Sequence, residues 1–184
     1  MAASKLRPYI RPNLDVLFVA LNPPTQSDNN GHWFSGDRSR FFQLLHESGL
    51  ITEDLPKATA DEAVFDSTTF NFRGFKFGVI DLVEDVIQTN SGYVRPSRRH
   101  VDVLIERFRD LGPRFVCVIH YKVRDALNQS REFEHPLDYG ICGRSLRGCG
   151  SVFVLNYFPN GNNVNDEKKL TIFRALRDQL VGVN

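Results

Sequence analysis

No apolar stretch in this 184-residue chain approaches the ~20 consecutive residues that a membrane-spanning helix requires. Its first residues, MAASKLRPYIRP, lack the apolar core of a secretion signal, so a cytoplasmic address is the default expectation. Cysteine is scarce: three residues, Cys117, Cys142 and Cys149, are too few for a disulfide framework. Cys117 lies inside the run FVCVI and reads as core, while Cys142 and Cys149 have neither the tight pairing nor the companion ligands of a zinc or iron–sulfur site. Neither a metal nor a cofactor is therefore expected. An excess of one charge is also missing, since 23 Lys and Arg face 22 Asp and Glu, and the chain as a whole does not announce a polyanionic partner. There is no P-loop or dinucleotide glycine fingerprint. No Ser or Cys stands in nucleophilic spacing with a histidine, which leaves acyl-enzyme chemistry without support. Internal repeats and low-complexity linkers are absent. The length fits one domain with a sizeable core, and nothing in the pattern calls for more than a monomer.

What is present is an alternation of apolar runs and helical periods. DVLFVAL (Asp15 to Leu21), FKFGVIDLV (Phe75 to Val83), RFVCVIH (Arg114 to His120) and SVFVLN (Ser151 to Asn156) read as buried strands. Between them, Phe41, Leu44 and Leu45 share a helical stripe that Gly49 stops, and Thr52 to Val64 is expected to be a second, more polar helical stretch. Pro96-Ser97 opens a helix whose apolar face is Val101, Leu104, Ile105, Phe108 and Leu111. A short helix is expected over Tyr121 to Leu127, and a terminal one from Asp166 with Leu170, Phe173, Leu176 and Leu180 on one side. Strands separated by helices imply an α/β fold: a single αβα three-layer domain around a central, mainly parallel four-stranded sheet. The division expected is a basic, proline-containing arm over residues 1–13, with Lys5, Arg7 and Arg11, followed by the domain over 14–184.

Ligands of open α/β sheets bind beyond the carboxyl ends of the strands. At such an end Asn22 follows DVLFVAL, stiffened by Pro23 and Pro24 and followed by a loop carrying His32, Trp33 and Phe34. An amide between prolines and aromatics suits a planar ligand, although an Asn that merely caps a turn would look the same. After SVFVLN comes YFPNGNNVND, a second Pro/Gly/Asn loop before a helix. Such a loop either presents backbone N–H groups to a phosphate or is a plain turn, with Gly161 permitting a turn or a close approach. Arg95, Arg98, Arg99 and His100 form one basic cluster, and Arg144 and Arg147 another; each is a solvated face or a phosphate contact. Asp81 near a strand end reads as a turn cap, an arginine partner or a charged alternative to Asn22. Among the histidines, His32, near the first loop, is a better titratable candidate for contact with a ligand than His46, His100 or His135.

Several of these residues resemble the uracil-DNA glycosylase superfamily, closest to its mismatch-specific (Mug/thymine-DNA glycosylase-like) branch. VLFVALNP, then Gly31, Phe34 and Arg40-Phe41-Phe42, follow the branch's spacing without a gap; HESGL, GVIDLV and FPNGN resemble further segments, over roughly residues 14 to 180. The resemblance implies base flipping and hydrolysis of an N-glycosidic bond in DNA. It makes Asn22 the residue that positions the attacking water. Phe34 becomes the aromatic that stacks on the base, with Pro23, Pro24, Trp33, His32 and Asn160 around it. Trp33 either covers the pocket mouth or packs beneath it. Pro159, Gly161 and Asn162 occupy the place of the motif that wedges into DNA and grips phosphates, with Arg95, Arg98 and Arg99 as further phosphate contacts.

Three departures matter. Phe158 stands where relatives place a polar His or Asn, so a side-chain donor to the leaving base is missing. Asn162 stands near the position of an apolar wedge. Pro24 stands where the branch tends to have Gly, which narrows room at the base's 5-position and favours uracil over thymine. No lysine occupies the first motif, so a monofunctional enzyme of base excision repair is expected. A binding module that kept the fold but lost activity is the alternative, and a small-molecule hydrolase of the same architecture is a third.

Overall fold

A computed structural model describes residues 3–161 and 163–182. Strands β1 (Val16–Ala20), β2 (Phe77–Asp81), β3 (Phe115–Val118), β4 (Gly140–Gly143) and β5 (Val152–Leu155) form one sheet in the order β2-β1-β3-β5-β4. The first four in that order are parallel, and β4 runs antiparallel on β5 at the edge. The sheet thus has five strands rather than four. GICG offers neither an apolar run nor a clear alternation, so a short glycine-rich edge strand left little trace in the sequence.

Pleating divides the core in two. Val16, Phe18 and Ala20 of β1 face an aromatic cluster beneath α2 (Phe41–Glu47) and α5 (Asp166–Gly182). Leu17, Val19 and the following Leu21 face an aliphatic core beneath α3 (Arg98–Leu111) and α4 (Tyr121–Asn128). The helical faces expected for α3 and α5 are those that are buried. A short helix, α1 (Thr25–Asn30), interrupts the expected loop after Asn22 and ends at Gly31, whose φ of 76° closes it in the left-handed region. Thr52 to Val64 is helical only from Ala60 onward. Thr52 N–H bonds Phe70 O and Ile51 bridges Asn71, so the chain there runs extended before a turn and the π-helical segment Glu62–Asp66.

Residues of the amino-terminal arm dock along the free edge of β2: Tyr9 and Val79 exchange both backbone hydrogen bonds at 3.0 Å. Gly78 makes this possible, since a Cβ there would stand 2.5 Å from Tyr9 O. No helix among the described residues is long and apolar enough to cross a membrane.

Candidate functional site

The strand order places a topological switch point between β1 and β3, because the chain leaves β1 toward β2 on one side and returns to β3 on the other. Ligand crevices of open α/β sheets form there. Asn22 projects from the end of β1 and His120 from the end of β3, with the loop after β5 alongside.

Asn22 is buried, at 8% exposure. Its Nδ2 donates to Val86 O at 2.9 Å and Gln88 O at 2.8 Å, with Pro23 O at 3.1 Å. Carbonyls only accept, so the amide has one possible orientation, and Oδ1 accepts no hydrogen bond from a described residue. Gln88 N–H returns a bond to Pro23 O, which locks the 86–88 segment over the first motif. Pro24, half-buried, is the N-cap of α1, and its carbonyl accepts from Asp28.

The loop carrying His32, Trp33 and Phe34 is held from below by Asp61, a residue the sequence did not single out. Its buried carboxylate accepts Trp33 N–H at 2.8 Å and Glu62 N–H at 3.0 Å, and meets His32 Nδ1 at 3.0 Å. Trp33 packs beneath the loop rather than over its mouth: it is 4% exposed and its indole N–H donates to Arg7 O. Phe34 stacks one ring face on Phe41, centroids 3.9 Å apart, leaving only the other face for a planar ligand. Its φ of 54° lies in the left-handed region, which costs a non-glycine residue energy and persists only where the surroundings enforce it.

The first and second loops are joined. Arg40 N–H donates to Pro159 O at 2.9 Å, and Ser39 and Asn160 form a bridge. Below them lies Lys169, wholly buried, whose ammonium donates to Asn160 O at 2.8 Å and pairs with Asp166 at 2.9 Å. Asn160 keeps its side-chain amide without a hydrogen bond to any described residue. Gly161 has neither of the expected reasons to be glycine within the chain: its φ is not positive, and a Cβ there would meet nothing within 4 Å. Asn162 lies outside the described residues.

His120, also passed over in the sequence, is the N-cap of α4 and 6% exposed. Its ring meets Phe158 edge-on at 5.2 Å and stacks on Tyr121 at 5.0 Å. Burial, aided by the Lys122 ammonium and opposed by Asp125, pushes its pKa down to about 4, so the imidazole is neutral at pH 7. Asp81 at the end of β2 is 3% exposed, and its Oδ1 is buried without a hydrogen-bond partner. Burial, reinforced by Glu84, raises its pKa well above the usual carboxylate range.

The basic clusters part company. Arg98 and Arg99 are exposed at the first turn of α3, on the carboxyl-end side of the sheet, and the Arg95 guanidinium folds back onto the Gly92 and Val94 carbonyls. Arg147 sits at the opposite end, beside Arg109, Glu132 and Glu134. Of the two readings the sequence left open for this cluster, a solvated face or a phosphate contact, its place away from the switch point favours the first.

A mainly parallel sheet with a rigid amide at its switch point, an aromatic loop beside it and a Pro-Asn-Gly loop opposite defines an α/β protein whose polar and aromatic groups gather at the carboxyl edge of the sheet. The family model described as the uracil DNA glycosylase superfamily matches residues 7–178, and the chain belongs to that superfamily.

Proposed function

We propose that this protein is a monofunctional DNA glycosylase, which hydrolyses the N-glycosidic bond of uracil or a related deaminated base flipped out of DNA in base excision repair. The observation that carries this reading is the Asn22 amide. With its N–H groups spent on the Val86 and Gln88 carbonyls, Oδ1 is left as a fixed acceptor for a water hydrogen. A neutral amide is a weak base, so its contribution is to orient the water and favour the positive charge that develops on the sugar. In this reading the face of Phe34 turned away from Phe41 is the stacking surface. Lys169 lies beneath the second loop, but its ammonium is buried and paired with Asn160 O and Asp166, so it is not a free amine for Schiff-base chemistry.

Arg98 and Arg99 support a DNA partner. Cations at a helix N-terminus oppose the helix dipole, each at about 0.3–1 kcal/mol, a cost that a bound phosphate removes. The mismatch-specific branch is the nearest pattern for the first motif, and Pro24 in place of its glycine favours uracil over thymine.

The test is incubation with end-labelled oligonucleotides bearing U, T, hypoxanthine or xanthine, single-stranded and opposite each base, followed by alkaline cleavage of abasic sites. Uracil should be released, and Asn22→Ala should lower the rate at least about a hundredfold while leaving DNA affinity intact. The apolar Phe158 favours a second reading, an inactive binding module; salt-sensitive binding with no cleavage of any substrate would select it.

A further inference from the structure

Phe158 removes a polar side chain from the second loop, and the structure places a histidine from another strand against it. His120 leaves β3 where Asn22 leaves β1. Val19 pairs with Val118, Ile119 N–H bonds Val19 O, and His120 is the next residue, at the switch point. Asn156 N–H bonds Val118 O, which sets the start of the second loop on the other flank. The His120 ring thus stands at the strand ends between the two loops, its centroid 5.2 Å from that of Phe158 with the ring planes at 66°.

Its proton is fixed by its surroundings. Nδ1 accepts the Lys122 backbone N–H at 3.1 Å as the cap of α4, so in the neutral ring Nε2 carries the hydrogen. Nε2 makes no hydrogen bond to a described residue. The charged groups around it are few: the Lys122 ammonium is turned onto the Ser91 and Val94 carbonyls, and Asp125 is engaged by Arg124. Tyr121 covers one ring face. A buried helix cap does not require imidazole, since Asn or Ser accepts the same bond at lower cost. The unspent feature of His120 is a neutral N–H donor at the switch point between β1 and β3.

Resting on the glycosylase reading above, we infer that His120 is the base-recognition donor of this protein, its Nε2–H bonding the carbonyl oxygen next to the glycosidic nitrogen of a pyrimidine held in the crevice. As the C1′–N bond breaks, its electron pair passes to the ring and negative charge spreads onto that carbonyl, where the bond to His120 strengthens. The imidazole keeps its proton. Water oxygen bonds C1′, the proton it loses goes to solvent, and the base anion is protonated from solvent. A donor aimed at developing charge accelerates the step because it binds the transition state more tightly than the ground state.

His120→Asn keeps the α4 cap but withdraws the donor, and His120→Gln carries an amide N–H toward the Nε2 position. On a uracil oligonucleotide, kcat should fall about a hundredfold in His120→Asn and recover in part in His120→Gln. On 5-fluorouracil, whose anion needs less stabilisation, the His120→Asn loss should be smaller. Equal losses on both bases would show a purely structural role, and unchanged kcat on both would exclude any role. A second measurement separates this inference from the reading beneath it. An oligonucleotide with non-cleavable 2′-fluoro-2′-deoxyuridine is added to wild-type protein and the His120 Nε2 resonance is followed by NMR. A shift supports the donor, and an unmoved resonance in the saturated complex overturns it, even if wild-type protein cleaves uracil. Absence of cleavage by wild-type protein sinks the glycosylase reading alone, since the resonance still reports on His120.

Discussion

The two ends of the same sheet are built on opposite terms. At the amino end polar groups are matched. The Asp15 carboxylate accepts Lys76 N–H at 2.8 Å and pairs with Arg114 at 2.9 Å, while Arg114 also donates to Leu180 O. Arg109 meets Glu132 at 2.7 Å, and Arg147 meets Glu134 at 3.6 Å. At the carboxyl end polar capacity is left over: Asn22 Oδ1, His120 Nε2, the Asn160 amide and the Asp81 oxygen lack partners in the described chain, and Phe34 holds a left-handed φ. The amino end has exceptions of its own, since Asn13 and Arg73 also hold left-handed φ values and Asn71 Oδ1 is buried without a partner in the described chain. What sets the carboxyl end apart is that Asn22, His120 and Asn160, each with an unused polar atom, follow the neighbouring strands β1, β3 and β5, where ligand crevices of open α/β sheets form.

The comparison predicts where substitution is costly in both stability and activity. Asp61, like Lys169, is an exception at the carboxyl end, a fully used polar group, and it holds the strained loop. Asp61→Ala would leave the Trp33 and Glu62 amides and the His32 ring without their acceptor, and should cost about 3 kcal/mol of stability as read by urea unfolding. Glycosylase activity should fall further than the folded fraction does, because the Phe34 loop loses its support. Activity that merely tracks the folded fraction would mean the loop holds its shape without Asp61.

Much of this was legible in the sequence. Apolar runs fixed four strands because parallel strands are buried on both faces, and Asn22 stood out as a polar residue where such a run ended. The helices α3 and α5 were readable from their 3.6-residue period. Asp61, Lys169 and His120 were not, because each matters through partners far along the chain: Asp61 lies 28 residues from Trp33, and Lys169 works on the second loop by folding beneath it. His120 looked like the last residue of an apolar run. The edge strand β4 and the helix α1 were missed because GICG and TQSDNN carry no hydrophobic pattern, one being held by β5 and the other by the turns that flank it.

Asp81 gives a smaller effect of opposite sign. Its folded-state pKa is raised, so the folded protein retains a proton that the unfolded chain releases above about pH 4. The stabilisation is present below that pH and is lost as pH rises toward the folded-state value. His120 works the other way: its pKa of about 4 lies below the unfolded value near 6.5, so its contribution is lost as pH falls through that window. Comparing wild type with Asp81→Asn cancels the His120 term. The variant should gain stability relative to wild type as pH goes from 4 to 8, measured by urea unfolding at each pH. A gap independent of pH would show that Asp81 does not titrate differently in the two states.

The mildest test exchanges arginines between the two ends. Arg98→Gln with Arg99→Gln removes two exposed cations from the carboxyl end, where Arg98 is 94% exposed at its side chain and reaches only Asp102, at 3.7 Å. Arg109→Gln with Arg147→Gln removes two from the amino end, where both have acidic partners. Neither pair should change stability by more than about 1 kcal/mol, since surface ion pairs contribute little. Their effects on DNA should differ. If each carboxyl-end arginine neutralises one phosphate, the first pair should lower the slope of log affinity against log salt by about 1.8 on duplex DNA, and the second should leave it unchanged. Because counterion release depends on where the cations lie and not on the base held in the crevice, this difference should persist with undamaged DNA and in an Asn22→Ala background. Equal slopes for the two pairs would place the DNA somewhere other than the edge that carries Asn22, His120 and Phe34.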